Sequence, residues 1–318
     1  MPLPSLGQWY KWYKMIIGKS MQHVPQGEGK VYSKTYLRGY YNDLTNKFLG
    51  SNGATQALDE QGIPIHWLAN GECVYFPTAV AQYGLGAYDV WLLKGDREAY
   101  NAFLRCADWL LNDQDKMGGW LVWSRIRMTQ RCPYSAMTQG EGASLLYRAG
   151  LETGDVRFNH AASRAIDLML KPINEGGTAR YEQEKLILEE CPHITPSAIL
   201  NGWIFAIFGL YDGVLVTKRQ DWREFLQNTI NTLEVELHCY DAGYWSYYDR
   251  AGRLASPFYH DLHINLLKVL AKLAGRKAFL LMAECWDRYR ENKIFCVRAF
   301  ITKAYQKLKD PGEGIFVK

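Results

Sequence analysis

The chain has no Cys-x-x-Cys pair, no dense stripe of lysine and arginine, and no grouping of His, Cys and carboxylates at the spacing of a known zinc site. Its seven cysteines (Cys73, Cys106, Cys132, Cys191, Cys239, Cys285 and Cys296) are odd in number and several fall inside helical patterns, so they read as reduced thiols. The net charge is only +4, and the basic residues are scattered apart from Arg125, Arg127 and Arg131. A nucleic-acid partner, which needs a denser basic surface, is not expected, whereas a polyanionic substrate is compatible. His260 and His263 stand three apart, but without accompanying ligands they do not make a metal site, and no metal or cofactor is expected. The first thirty residues contain Trp9, Tyr10, Trp12 and Tyr13 beside Met15-Ile16-Ile17, with no continuous apolar core. Neither a secretory leader nor an integral membrane segment is expected, and a cytoplasmic location is. This arm reads as packed by its own aromatics, with contact to a membrane interface or a partner as the alternative.

What the chain does have is enough apolar content to bury a large core: 318 residues, 48% hydrophobic and 22% charged. It is also rich in flat amphipathic rings, with 21 Tyr and 11 Trp, which suit stacking on sugar faces or on bases.

The organising feature is an internal repeat. Pro77, Pro133, Pro196 and Pro257 recur at intervals of about sixty residues, and each is followed within six residues by Gln82, Gln139, Asn201 or His263 inside an apolar helical run. A period of that size holds two helices and their loops. The first helix of each unit is apolar on most sides, as over 198–216 and 262–274, and the second is amphipathic, as over 98–112, 156–171, 221–237 and 276–290. Glycine turns follow the first three amphipathic helices, at Gly118-Gly119, Gly176-Gly177 and Gly243, with short β-like stretches after them. The expected fold is therefore mainly α: an (α/α) barrel or toroid of repeated helical hairpins with short β-hairpins. Residues 1–60 form a small N-terminal extension and 61–318 the toroid.

If the hairpins close into a ring, the proline loops and the starts of all inner helices gather on one rim, and the chemistry belongs there. Four stretches carry suitable side chains. Around Gln139 and Glu141 two glycines leave space, although a close helix crossing explains them equally well. Glu189 and Glu190 are adjacent carboxylates leading to Asn201, and one of them could serve as a base. In 244–250, read as a strand, Tyr248 and Arg250 share one face and Tyr247 and Asp249 the other. The fourth stretch holds Tyr259, His260, His263 and Asn265. Gln139, Asn201, His260, His263 and Asn265, with Arg125 and Arg127, are the candidates for binding substrate.

At these stretches the chain resembles the C-terminal catalytic region of the D-glucuronyl C5-epimerase family. The matching segments are Tyr83-Gly84-Leu85, Gly118-Gly119-Trp120, Tyr134-Ser135-Ala136-Met137 with Gln139-Gly140, Glu189-Glu190 with Pro192, Leu200-Asn201-Gly202, Gly209-Leu210-Tyr211-Asp212, and Tyr259-His260 with His263-Ile264-Asn265. They fall in order over roughly residues 60 to 275. The resemblance implies an (α/α) barrel, conversion of D-glucuronate to L-iduronate residues in a heparan-type polysaccharide, no cofactor, and a possible homodimer.

It further implies that Tyr259 is a catalytic tyrosine, that Tyr247 or Tyr248 matches a second, with Arg250 as its neighbouring arginine, and that Glu190 is retained. The family's third tyrosine is Cys191 here. Removing the C5 proton, which lies α to a carboxylate, requires the developing enediolate charge to be neutralised, and Arg250 is the expected clamp. A polysaccharide lyase shares that first step. A hydrolase instead needs two carboxylates, such as Glu141 with Glu190 or Asp261. A non-catalytic glycan-binding protein is the third alternative. Phe279, Trp286, Phe295 and Phe300 could form an interface but are expected to pack in the core.

Overall fold

Helices that are apolar all round must be surrounded, and in a computed structural model this protein surrounds four of them. The structure describes residues 23–68, 70–128, 132–193 and 195–309, so the aromatic arm around Trp9 and Trp12, and Arg131, lie outside the described residues. In chain order the elements are α1 (Thr45–Leu49), the antiparallel pair β1 (His66–Trp67) and β2 (Cys73–Val74), α2 (Pro77–Lys94), α3 (Arg97–Asp113), α4 (Ala136–Thr153), α5 (Val156–Leu170), the antiparallel pair β3 (Ala179–Glu182) and β4 (Lys185–Leu188), α6 (Leu200–Thr217), α7 (Gln220–Glu236), α8 (Pro257–Ala274), α9 (Lys277–Glu291) and α10 (Lys293–Lys309). The even-numbered helices α2, α4, α6 and α8 are the inner ones, each packing on the next, and α3, α5, α7 and α9 back them as amphipathic partners.

The boundaries follow local chemistry. Asp96 accepts from the backbone N–H groups of Glu98 and Ala99 at the start of α3, and Asp155 does the same for Arg157 at α5. Gly95, Gly154 and Gly275 end their helices in the left-handed conformation that glycine adopts most easily. Of the expected β-like stretches, β1–β2 and β3–β4 are regular pairs, whereas after Gly118-Gly119 the chain makes a short 3-10 turn and after Gly243 only isolated bridges. Among the described residues one helix, α6, is long and apolar enough to cross a membrane, and it is the buried core helix of the stack.

Close approach of α4 and α6 depends on two glycines: a Cβ on Gly209 would stand 2.3 Å from Gly140 Cα, and one on Gly140 would stand 2.8 Å from Ala206 Cα. Gly140 therefore serves helix packing, and the space near Gln139 is filled by protein. Gly209→Ala is expected to cost about 1–3 kcal/mol by overpacking, read as a lower midpoint in urea at unchanged slope.

The far ends of the inner helices are closed by residues 23–44. The Tyr40 backbone N–H donates to Asp89 on α2 (2.9 Å), Arg148 on α4 pairs with Asp212 on α6 (2.6 Å) and donates to the Gly39 carbonyl (3.1 Å), and the Tyr41 hydroxyl donates to Asp212 (2.6 Å). The same segment reaches α8, where Asn265 donates to the Gln26 carbonyl and Lys272 pairs with Glu28. It thus bridges the first and last inner helices. The described part of the expected N-terminal extension is built into the barrel, and Tyr40, Tyr41 and Leu44 belong to the main core. The proline loops lie at the opposite end, where His23, at the head of the same segment, packs on Phe258 and Tyr259.

Candidate active site

At the rim formed by the starts of the inner helices, the loop between β4 and α6 carries Glu189 and Glu190, and the fold gives the two carboxylates different work. Glu189 is fully buried, paired with Arg180 (3.0 Å) and accepting from the Ser197 hydroxyl and the Ala198 N–H, so it anchors the loop. Glu190 lies over Gly202: a Cβ there would fall 2.1 Å from its Oε2. Glu190 is 8% exposed, and its Oε2 has no hydrogen-bond partner among the described residues, as is also true of the nearby Asn201 Oδ1. Burial pushes the Glu190 carboxyl up to about 7, against the opposing pull of Arg253. Buried polar atoms left unpaired need a reason, and a site that awaits a ligand supplies one.

Tyr259 begins α8, whose first turn is capped by the Ser256 hydroxyl accepting from the Tyr259 N–H (3.4 Å). Its ring lies 4.8 Å from that of Tyr248, with Phe258 and His23 edge-on beside it. Burial and the Glu190 charge raise the Tyr259 phenol above its usual range, while hydrogen bonding to Tyr248 pulls it back in part. Tyr248 is likewise raised, first by burial and then by Glu190. Both phenols are therefore protonated in the free protein. The Cys191 thiol is also pushed up by burial and the adjacent carboxylates, so a thiolate base is not available there.

The guanidinium at this site is Arg253, not Arg250. The chain turns at Asp249–Gly252, where Gly252 N–H donates to the Asp249 carbonyl and Arg253 N–H to the Asp249 carboxylate, which breaks the strand alternation expected for 244–250. Arg250 consequently points away and sits 3.2 Å from Glu236 and 3.7 Å from Glu182. Arg253 pairs with Asp249, lies 5.6 Å over the Tyr248 ring, and its charge acts on Glu190, Cys191 and Tyr248. Tyr247 and Tyr248 both pack against the cluster of Tyr244, Trp245, Leu254 and Ala255, and it is the Tyr248 ring that lies 4.8 Å from that of Tyr259.

The substrate-binding candidates separate in the same way. Gln139 is buried and saturated, accepting from Trp120 N–H and donating to the carbonyls of Gly118 and Ala165. His260 stacks on Trp245 at 3.7 Å and bonds Ser246 and the Trp286 carbonyl, and His263 shares the Ser246 hydroxyl, so both histidines belong to the core. Asn265 holds Gln26. Arg125 and Arg127 are paired with Asp113 and Glu72 on the surface, and Asp261 with Arg290. Asn201, whose Oδ1 is buried without a partner among the described residues, precedes the Gly202 that Glu190 covers.

A second set, which sequence reasoning missed in part, adjoins Glu190. Gln82 donates to both oxygens of Glu141 (3.1 and 3.2 Å), whose carboxyl burial pushes up to about 8, with Lys47 opposing and Glu190 adding to the rise. Burial lowers Lys47, on α1, to about 8, and Glu141 counters. Lys47 carries no sequence signal, since its stretch Leu44-Thr45-Asn46-Lys47-Phe48-Leu49 mixes polar and apolar residues, and Arg253 has none beyond standing four residues after Asp249. A groove of about 530 Å³ lined by Tyr181, Trp222, Phe225 and Arg219 lies on the outer side between α5 and α7, apart from these groups. Among the described residues no three His, Cys, Asp or Glu side chains converge as a metal site would require.

Fold and cleft together define a helical-hairpin barrel with a phenol–carboxylate–guanidinium cluster at the N-terminal rim of its inner helices. The chain belongs to the D-glucuronyl C5-epimerase family: the family model of the D-glucuronyl C5-epimerase C-terminus matches residues 114–288, which hold Glu141, Glu190, Tyr248, Arg253 and Tyr259. It is 29% identical over 218 residues to the D-glucuronyl C5-epimerase of Caenorhabditis elegans, covering 61% of this chain and 35% of that protein. It is 28% identical over 155 residues to an uncharacterized protein of Methanocaldococcus jannaschii, covering 48% of this chain and 50% of that one. The chain thus spans between a third and a half of the length of these relatives. Among solved structures, the unsaturated glucuronyl hydrolase of Bacillus sp. GL1 superposes with a TM-score of 0.47 at 15% identity, covering 68% of this chain and 62% of that one.

Proposed function

We propose that the protein is a uronyl C5-epimerase, converting D-glucuronate to L-iduronate residues in a polysaccharide. The observation that carries this reading is the convergence of Tyr248, Tyr259, Glu190 and Arg253 on one unpaired, partly open spot within the family-matched region. Glu190 takes the C5 proton, and the electron pair of the broken C–H bond moves into the carboxyl group as an enediolate. Arg253 offsets that charge, with Lys47 as a second cation deeper in the cleft. Tyr259 returns a proton to C5 from the opposite ring face. Tyr248, beside Tyr259, relays the proton that resets the pair. Because residues 23–44 close the far end, a polymer lies across the rim rather than passing through the barrel.

The test is incubation with unsulfated glucuronate-containing polysaccharides in D2O, followed by NMR at uronate C5. Deuterium entering C5 with iduronate appearing supports the reading. An unsaturated uronate product means lyase chemistry instead. Glycosidic cleavage that leaves a saturated non-reducing end would assign Glu141 and Glu190 as a hydrolytic pair, the reading that their mutual influence also allows.

The pH profile is a further check. A base must be ionised, so exchange is expected to rise as pH rises through about 7, the value to which burial brings Glu190. Glu190→Gln should lower exchange about 100-fold and abolish that limb. The folded state holds the Glu190 proton more tightly than the unfolded chain, whose carboxyl titrates near 4.5. The contribution of Glu190 to stability is therefore fully present below that value and is lost as pH rises through about 7, a loss that the Gln variant does not show.

A further inference from the structure

Helix α10 is attached to the barrel by one face and leaves the other uncovered. Phe295, Ala299, Thr302 and Gln306, spaced by three or four residues, face the protein. Phe295 packs against Tyr244 and Tyr289, Thr302 meets the Tyr244 hydroxyl at 3.3 Å, and Gln306 accepts from Leu254 N–H and donates to the Gly252 carbonyl. The opposite face carries Ile294, Val297, Ile301, Tyr305 and Leu308 at the same helical spacing, exposed by 76, 59, 61, 57 and 47%. Phe300, expected in the core, is 59% exposed beside them. A soluble surface seldom leaves so continuous an apolar stripe open.

The charges on α10 select what covers it. No acidic residue occurs between Lys293 and Lys309, whereas Lys293, Arg298, Lys303, Lys307 and Lys309 are all basic. On a helical wheel Arg298 and Lys309 flank one side of the apolar stripe and Lys293 the other, while Lys307 and Lys303 lie further round the helix. Arg298 stacks over the Tyr244 ring at 3.8 Å and Lys309 over Tyr305 at 4.7 Å, so their stems already run along aromatic surface with the charged heads at the border. A second copy of the chain would set five positive charges against five. A surface that accepts apolar side chains in its interior and cations at its edge matches on both counts.

We propose that α10 is a membrane-surface helix that seats the protein on an anionic lipid bilayer, its apolar stripe in the headgroup–acyl boundary and its basic flanks on lipid phosphates. Through Gln306 the same helix holds the Gly252–Leu254 turn that follows Tyr248 and carries Arg253, so the docked face lies behind the rim cluster. This inference does not rest on the proposed reaction.

The experiment is co-sedimentation of the full chain with phosphatidylcholine vesicles made with and without phosphatidylglycerol, at low and high salt. Binding to the anionic vesicles alone, weakened by salt, is expected. The triple variant Ile294→Ser, Val297→Ser, Ile301→Ser should lower the bound fraction at least about tenfold. These side chains point away from the core, so circular dichroism and the melting temperature should match the parent. Absence of binding to the anionic vesicles, or equal binding to neutral ones at all salt concentrations, overturns the proposal. So does a dimer seen by light scattering that the triple variant dissolves, which would assign the stripe to a second copy.

Discussion

Tyr259→Phe is expected to reduce deuterium exchange at uronate C5 by about 1,000-fold, with little change in the substrate concentration giving half-maximal rate. The substitution removes one oxygen. The ring stays packed between Tyr248, Phe258 and His23, and the Ser256 cap bonds the backbone, so neither fold nor cleft shape depends on the hydroxyl. Tyr248→Phe should have a smaller effect, because it loses the relay and leaves Glu190 and Tyr259 in place. If Tyr259→Phe retained activity within about threefold of the parent, the assignment of Tyr259 to proton transfer would fail. Glu190 and Tyr248 would then have to carry both proton steps.

Asp212→Ala should be the most damaging single change outside the cleft. The carboxylate is fully buried, pairs with the equally buried Arg148 and accepts from the Tyr41 hydroxyl. Its removal strands a guanidinium whose other contacts are the Ser144 and Gly39 carbonyls and the rings of Tyr40 and Tyr41. Removing one partner of such a pair costs about 3–5 kcal/mol, a loss of about 5–8 °C in melting temperature for a domain of this size. Asp212→Asn, which keeps an acceptor oxygen, should cost less. A melting temperature within about 2 °C of the parent for the Ala variant would mean that water replaces the carboxylate and that the far end of the barrel is not sealed.

The hairpin repeat was legible because burial writes itself into composition. The apolar Leu200–Thr217 and the amphipathic Arg97–Asp113 cannot exchange places, and the observed helices begin and end within a few residues of the patterned runs. Gln139 shows the limit of a repeat: it shares a register with Gln82, yet Gln82 faces Glu141 while Gln139 holds the Gly118 turn. Strand alternation over 244–250 does not foresee that Asp249 closes a turn; the turn leaves Arg250, the clamp implied by the resemblance, beside Glu236 and Glu182 and brings Arg253 over Tyr248. Lys47 reaches the cleft from an N-terminal stretch that has no repeat to place it. Phe300 could not be oriented, since helical periodicity gives the angle between side chains and not which side meets the protein.

The clasp formed by residues 23–44 also sets an order of events during synthesis. Tyr40 and Tyr41 leave the ribosome early, but their partners stand at Asp89, Arg148 and Asp212, and Gln26 and Glu28 wait for Asn265 and Lys272. Until α8 has emerged, the earlier hairpins form an open arc with apolar flanks unclosed, and the Gln26–Glu28 end of the leading segment lacks its partners. The native state is therefore reached late and cooperatively, and any nascent chain halted before α8 remains sticky at both ends of the arc.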